Sequence, residues 1–264
     1  MSDPGRARAE PGRPAGLLLD LAGVVYQGDA LLPGAPEAIG RLRAAGIPFR
    51  FVTNTSRRSR RRLVEALRAR GLQLEARDVF TAPLAARARL EAMGVAPHLL
   101  VHPELVEDFE GLAGGRPGAV VVGDAAGGFT YAALNEAFRL LMDGAPLLAV
   151  GRNRYFREDD GLSLDAGPFV AALEYAAGVQ AEITGKPAPG FFHRAVADMG
   201  LDPGKVLMVG DDVEADVAGA LDAGLAAVLV KTGKYRRGDE DRIGSRGARV
   251  CADLSAAISS LNLE

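Results

Sequence analysis

Two carboxylates in this chain come just after short apolar runs. If these runs are strands, both carboxylates lie at the edge of a sheet, where they could take part in catalysis or bind a ligand. Asp20 comes directly after Leu17–Leu19, and Asp211 comes two residues after Val206–Val209. A carboxylate at the carboxyl end of a parallel strand lies in the crevice where open α/β sheets bind ligands. Such a residue can act as a nucleophile, and a pair of them suits the hard oxygen coordination of Mg²⁺. The spacing therefore predicts nucleophilic attack, metal binding or both.

Further polar residues stand where they would complete an anion site. Thr53 and Asn54 follow an apolar segment immediately before a predicted helix, where hydroxyl and backbone N–H groups attract anions. Lys186 precedes another helix and could neutralise both a phosphate oxygen and a nearby carboxylate. Asp216 follows Asp211 on a helix. Alone, each residue has a structural alternative as a turn, capping or solvated residue, but together they predict a site for a transferring phosphoryl group.

The elements that position these residues alternate between strand and helix patterns, which predicts an α/β fold with a mostly parallel sheet. The chemistry-bearing residues lie near the two ends of the chain, whereas the middle has strands and helices of its own. We therefore predict a Rossmann-like, doubly wound core domain over residues 16–82 and 182–264. An α/β domain over residues 83–181 would be inserted into it, and residues 1–15 would form a disordered tail.

One helix is predicted over Ser56–Arg70, with Ser56 as its N-cap and Gly71 just past its end. A second is predicted over Ala215–Ala223. Arginines fill five of the six positions 57–62, and on a helix they would spread around its surface. We interpret that run as a solvated face, and the net charge of −3 also gives no reason to expect a nucleic-acid partner.

Composition favours a globular protein with a sizeable core, since 48% of residues are hydrophobic and 25% are charged. No apolar run approaches the roughly 20 residues that span a bilayer, so we expect no membrane segment. The single cysteine, Cys251, allows no internal disulfide, which fits a reducing cytosol. We therefore expect a cytoplasmic protein.

Four motifs in order resemble the haloacid dehalogenase superfamily: Asp-x-x-Gly from Asp20, Thr53-Asn54, Gly-Lys-Pro around Lys186, and Gly-Asp-Asp-x-x-x-Asp ending at Asp216. Any one of them is weak, but all four at predicted strand ends are specific. The inserted segment resembles the large α/β cap of the p-nitrophenylphosphatase-like branch. The stretch Val230-Lys-Thr-Gly-Lys-Tyr235 is also similar to members of that branch.

The resemblance implies a role for each matching residue. Asp20 would be the nucleophile and a Mg²⁺ ligand, Ala22 would offer its backbone carbonyl to the metal, Asp211 would bind the metal and Asp216 would support the metal shell. Lys186 would orient Asp20 and the substrate. The residues implied to bind the phosphoryl group are Thr53, Asn54 and Lys186. The cap residues expected to contact substrate, from a loop after a cap strand, are Arg152, Asn153 and Tyr155.

This chain departs from most phosphatases of the superfamily at Ala22, where they have a second Asp that serves as general acid and base. Such catalysis contributes typically about 10²–10⁴-fold. We therefore expect a Mg²⁺-dependent phosphohydrolase that favours small substrates with good leaving groups, such as pyrophosphate, phosphoramidate, acyl or aryl phosphates. The alternative is a catalytically weak phosphate-ligand binding or regulatory protein. The resemblance also implies a homodimer formed through the cap.

Overall fold

The computed structural model of the chain describes residues 13–112, 114–158 and 161–261. Its strands are β1 (Gly16–Asp20), β2 (Tyr26–Gln27), β3 (Ala30–Leu31), β4 (Phe49–Thr53), β5 (Val79–Thr81), β6 (Ala96–Leu100), β7 (Pro117–Val122), β8 (Leu147–Ala149), β9 (Tyr155–Glu158), β10 (Gly161–Leu164), β11 (Glu182–Ile183), β12 (Val206–Gly210), β13 (Ala226–Val230) and β14 (Arg249–Cys251). Its α-helices are α1 (Ala35–Ala44), α2 (Arg60–Ala69), α3 (Ala82–Met93), α4 (Tyr131–Met142), α5 (Ala166–Ala177), α6 (Pro189–Ala197), α7 (Gly219–Asp222), α8 (Asp239–Ile243) and α9 (Leu254–Ser259).

The larger sheet has six parallel strands in the order β14-β13-β12-β1-β4-β5. Helices α1, α2 and α9 cover one face, and α3, α6 and the segment after β12 cover the other. Strands covered on both faces are continuously apolar, as β1 and β12 are, with Leu18 level with Met208. The predicted doubly wound parallel sheet is confirmed, and it brings the carboxyl ends of β1, β4 and β12 to one edge.

A second parallel sheet, ordered β11-β8-β7-β6, comes from the middle of the chain. We call this sheet, its helices and the β9–β10 hairpin the cap. Helices α4 and α5 cover one face, and buried residues of the other face join those around α3 and the larger sheet. Strand β11 pairs with β8, so Glu182 and Ile183 belong to the cap sheet although the sequence placed them in the core segment.

Helix α2 begins at Arg60, not near Ser56 as the sequence predicts. Its N-cap is Ser59, whose hydroxyl accepts a hydrogen bond from the Arg62 N–H at 3.3 Å. The same hydroxyl donates to Glu107 of the cap, and the Arg60 N–H donates to Asp108 at 3.1 Å. Contacts with the cap therefore favour Ser59 over Ser56 as the N-cap. Residues 54–58 form a loop beside the sheet edge.

The arginine run at positions 57–62 is not simply a solvated face. It meets acidic side chains of the cap, several of them on a 3₁₀ helix at Pro103–Phe109. The ion pairs are Arg57 with Asp124, Arg61 with Glu107 and Arg62 with Glu104. The Arg61 and Arg62 pairs are half-exposed and screened by solvent, whereas Asp124 is buried beside Arg57. The run is therefore part of the surface between the core and the cap.

Residues 1–12 of the predicted tail lie outside the described residues. The remaining three are held against the core. The Arg13 guanidinium donates to the Ala45 carbonyl at 3.0 Å, and the Ala15 N–H donates to the Lys205 carbonyl at 2.8 Å. Within the described ranges, none of the helices combines the length and apolar character that a bilayer span requires.

Candidate active site

Most of the predicted site residues meet around one cavity of about 290 Å³ at the carboxyl edge of the larger sheet. The predicted residues that line it are Asp20, Ala22, Thr53, Asn54, Asn153, Lys186 and Asp216. The lining also includes Pro187, Asp212, Glu214, Ala215 and Lys234. The parallel topology explains this convergence, because consecutive strand ends deliver their loops to the same crevice.

The centre of the site is a buried ion triad. The Lys186 ammonium donates to Asp20 Oδ1 at 2.5 Å and to Asp216 Oδ1 at 2.6 Å. All three residues are at most 7% exposed. Burial raises the pKa of Asp20 despite the nearby ammonium. Burial alone would lower the pKa of Lys186, but the two carboxylates raise it above its usual value. Lys186 therefore stays charged and fixes the orientation of Asp20.

Asp211 joins these two carboxylates to form a trio. Asp20, Asp211 and Asp216 each offer one oxygen, and these oxygens lie within 4.8 Å of one another. Burial, with a contribution from neighbouring carboxylates, raises the pKa of Asp211 and of Asp216 to about 6. Three buried carboxylates around one lysine leave excess negative charge. This donor set of hard oxygens fits a divalent cation such as Mg²⁺.

Asn54 holds the loop that carries Lys186. The Lys186 N–H donates to Asn54 Oδ1 at 2.7 Å, and Asn54 Nδ2 donates to the Lys186 carbonyl at 2.7 Å. A Cβ at Gly185 would lie 2.7 Å from Asn54 Oδ1, so a glycine is needed there. These two bonds make the Asn54 side chain a positioning group for Lys186. Thr53 and Asn54 both line the cavity, and their contacts with a phosphoryl group stay predictions.

Asp216 reaches the site from a π-helix at Val213–Ala218, where the sequence predicts an α-helix from Ala215 onward. Single-turn π segments are frequent at functional sites. The Asp212 carboxylate caps this segment and accepts the N–H groups of the two residues Glu214 and Ala215. A Cβ at Gly210 would lie 2.2 Å from the Asp216 Cβ. The glycine after β12 therefore makes room for the Asp216 carboxylate.

Sequence reasoning missed the loop after β13. The Lys234 N–H donates to Asp211 Oδ2 at 2.6 Å, and the Thr232 hydroxyl donates to the Gly23 carbonyl at 2.5 Å. The Lys234 ammonium donates to Asp212 Oδ2 at 3.2 Å. The available signal was the polar Lys-Thr-Gly-Lys stretch after an apolar run, which is the pattern that identified the other strand ends.

Of the three cap residues predicted to contact substrate, one lines this cavity. Asn153 lines the cavity, but Arg152 and Tyr155 lie outside its lining. Arg152 pairs with Glu174 at 2.5 Å and borders an adjacent cavity of about 500 Å³. Tyr155 is 57% exposed on β9. Their contacts with substrate therefore stay predictions.

Two family patterns match the chain in the segments that carry the site. The family described as haloacid dehalogenase-like hydrolase matches residues 17–112, and the family described as HAD-hydrolase-like matches residues 183–257. The first segment contains Asp20, Thr53 and Asn54. The second contains Lys186, Asp211 and Asp216. The resemblance drawn from the four motifs is confirmed.

Similar proteins cover nearly the whole chain. Human haloacid dehalogenase-like hydrolase domain-containing protein 2 is 44% identical over 245 residues, which are 93% of this chain and 95% of that protein. Phospholysine phosphohistidine inorganic pyrophosphate phosphatase from Danio rerio is 42% identical over 252 residues, covering 93% of each chain. The solved p-nitrophenyl phosphatase from Archaeoglobus fulgidus superposes with a TM-score of 0.84 at 27% identity, over 94% of this chain and 99% of that one. This chain belongs to the haloacid dehalogenase-like hydrolases.

Proposed function

We propose that this protein is a Mg²⁺-dependent phosphohydrolase that works through a phosphoaspartyl intermediate on Asp20. The observation that carries the proposal is the triad in which the buried Lys186 ammonium contacts both Asp20 and Asp216. The triad lies at the carboxyl edge of a parallel sheet and lines a cavity. The phosphatase names of similar proteins support the same reaction class.

Asp20 is the nucleophile in this proposal. Its Oδ1 is bound to Lys186, which fixes the carboxylate plane and leaves the other oxygen to attack phosphorus. The bond from that oxygen to phosphorus forms as the bond from phosphorus to the leaving atom breaks. Water then attacks phosphorus, which releases inorganic phosphate and restores the carboxylate. Lys186 and the N–H groups after β4 would offset the negative charge of the transferring group.

The metal ligands in this proposal are the Asp20 and Asp211 carboxylates and the Ala22 backbone carbonyl, with Asp216 bound directly or through water. When bound, Mg²⁺ supplies positive charge to the phosphoryl oxygens. The structural support is the cluster of three buried carboxylate oxygens within 4.8 Å of one another. Alanine at position 22 keeps the carbonyl, so the substitution removes an acid without removing a metal ligand.

The substrate class follows from Ala22 and from the size of the site. The methyl group lines the cavity where most phosphatases of the superfamily have an acid, so the leaving group receives no proton from this position. Small phosphates with good leaving groups are therefore favoured: pyrophosphate, phosphoramidate, acyl and aryl phosphates. The name of the Danio rerio relative includes such compounds. A cytoplasmic location and a homodimer formed through the cap remain predictions.

A second candidate function rests on the same residue. If the absence of an acid at position 22 makes catalysis very weak, the chain would instead bind a phosphorylated ligand and act as a binding or regulatory protein. Tight ligand binding without turnover would favour this candidate.

The test is a phosphatase screen of the native protein with and without Mg²⁺, on aryl, alkyl, pyrophosphate and phosphoramidate substrates. We expect Mg²⁺-dependent turnover that Asp20→Asn lowers by at least about 10³-fold. Asp29→Asn is the matched control, because Asp29 is an exposed carboxylate paired with Arg70 away from the cavity. Full activity in Asp20→Asn would exclude the proposed nucleophile.

A further inference from the structure

We propose that the Lys234 ammonium stabilises the negative charge that develops on the leaving group, on the side of the site where Ala22 offers no proton. This inference rests on the proposed phosphohydrolase function and adds a residue to it. Of the described residues that line the cavity, Lys186 and Lys234 are the two that carry a positive charge.

The backbone brings Lys234 next to Ala22 through a contact between two glycines. A Cβ at Gly23 would lie 2.9 Å from the Gly233 Cα, and a Cβ at Gly233 would lie 2.5 Å from the Gly23 Cα. Both glycines have positive φ, +89° and +57°. The Thr232 hydroxyl also donates to the Gly23 carbonyl, so the two loops are fixed against each other. Residues 22 and 234 therefore flank one close approach of backbone.

The two lysines of the cavity are held in different ways. Lys186 is 5% exposed in its side chain and is occupied by two carboxylates. Lys234 is 70% exposed in its side chain, and its ammonium contacts Asp212 at 3.2 Å. Lys186 is thus committed to the nucleophile, whereas Lys234 retains N–H groups for a ligand at the mouth of the cavity.

The reaction step that Lys234 would assist is departure of the leaving group. As the Asp20 oxygen bonds to phosphorus, the bond to the leaving atom breaks and its electron pair goes with that atom. The resulting anion pairs with the Lys234 ammonium and later takes a proton from solvent. The ammonium keeps its own protons. A preorganised donor at developing charge, in a site that excludes water, is worth about 10²–10³-fold in rate, and the exposed Lys234 falls at the low end of that range.

A purely structural role for Lys234 makes a different prediction. Its backbone N–H holds Asp211, and its ammonium holds Asp212. If the side chain served only to fix that carboxylate, its loss would lower activity on every substrate by the same factor. If Lys234 stabilises the leaving group, loss of its side chain would instead lower activity most on substrates whose leaving group is more basic.

The experiment is a leaving-group series that runs from nitrophenyl phosphate through phenyl phosphate to an alkyl phosphate, read as kcat/KM. We expect Lys234→Met to lower kcat/KM by about 100-fold on the alkyl substrate and by less than about 5-fold on nitrophenyl phosphate. Lys234→Arg, which keeps the charge, should remain within about 10-fold of the native protein throughout. Lys231→Met is the matched control, since Lys231 pairs with Glu240 and does not line the cavity.

Two outcomes overturn the assignment: an equal loss across the series in Lys234→Met, or no loss at all. Thermal unfolding of each variant, with and without Mg²⁺, shows whether the fold and the metal site persist. A native protein that turns over none of the substrates would overturn the proposed function and this inference with it. An active native protein with a uniform loss in Lys234→Met would overturn only the role of Lys234.

Discussion

The core side and the cap side of the cavity are built in different ways. On the core side, Lys186, Asp20 and Asp216 are buried and tied to one another by hydrogen bonds of 2.5 and 2.6 Å. On the cap side, Asn153 is the residue that lines the cavity among those the structure describes, and neighbouring Tyr155 is mostly exposed. Buried charged networks tolerate little change, whereas sparse contacts at a rim permit variation.

This difference indicates a division of work. Substitutions on the core side should lower activity on every substrate by a similar and large factor. Substitutions on the cap side, or at the Ala22 and Lys234 rim, should change the ratio between substrates. Four substitutions test that division, in order of decreasing expected effect.

Lys186→Met removes the cation from the core side. We expect kcat/KM to fall by at least about 10³-fold on all substrates. Stability should fall by about 3–5 kcal/mol, because buried carboxylates lose their partner. Urea unfolding and a substrate panel measure both effects. The matched control is Lys205→Met, whose exposed pair with Asp202 should contribute less than about 1 kcal/mol. A loss confined to some substrates would contradict the division.

Asp211→Asn tests the metal site. The change removes one of three crowded negative charges, so the metal-free variant should be at least as stable as the metal-free native protein. With Mg²⁺ at about 100 times its Kd, the native protein should gain about 2.7 kcal/mol and the variant much less. Thermal unfolding with and without Mg²⁺ measures the gain. Equal Mg²⁺ stabilisation of both proteins would exclude Asp211 as a ligand.

Ala22→Asp restores a carboxylate at the rim. We expect kcat/KM on alkyl phosphates to rise by about 10²-fold, with little change on nitrophenyl phosphate, because only basic leaving groups need the proton. Ala22→Asn is the matched control, since it has nearly the same shape without the acid. An equal gain from both variants would show that shape and not proton donation limits the native protein.

Gly167→Ala disturbs the cap side alone. A Cβ at position 167 would lie 2.4 Å from the Asn153 carbonyl oxygen, so the loop that carries Asn153 must shift. We expect a stability cost of about 1–3 kcal/mol and a changed preference among substrates, with turnover retained. Gly127→Ala, in open space elsewhere in the cap, is the control. Abolished turnover on every substrate would place part of the core chemistry on the cap.

Local sequence patterns, such as apolar runs and N-cap residues, were sufficient to predict part of the secondary structure. β13 is a continuous apolar run, and α4 has a threonine N-cap, Thr130, directly before it, so both elements carry local signals in the sequence. The strands β1 and β12 were readable because burial on both faces demands continuous apolar residues. These strands deliver Asp20 and Asp211, so the core side of the site was largely predictable.

The parts that were not predicted depend on contacts between distant positions. Asn54 bonds to the backbone of Lys186, 132 residues away, and so takes a positioning role. The start of α2 at Arg60 depends on cap residues Glu107 and Asp108. Lys234 reaches the site through the contact of Gly23 with Gly233. No local periodicity encodes such long-range pairings, which explains why the start of α2 and the approach of Lys234 to the site were not predicted.

The most direct test of the central claim is mass spectrometry of the protein quenched in acid during turnover. Peptides from the quenched protein are compared between the native chain and Asp20→Asn, with Mg²⁺ and an aryl phosphate present. We predict one added phosphoryl group on Asp20 of the native protein and none in the variant. Turnover by the native protein with no phosphoryl group on Asp20, or with the group on another residue, would contradict the proposed mechanism.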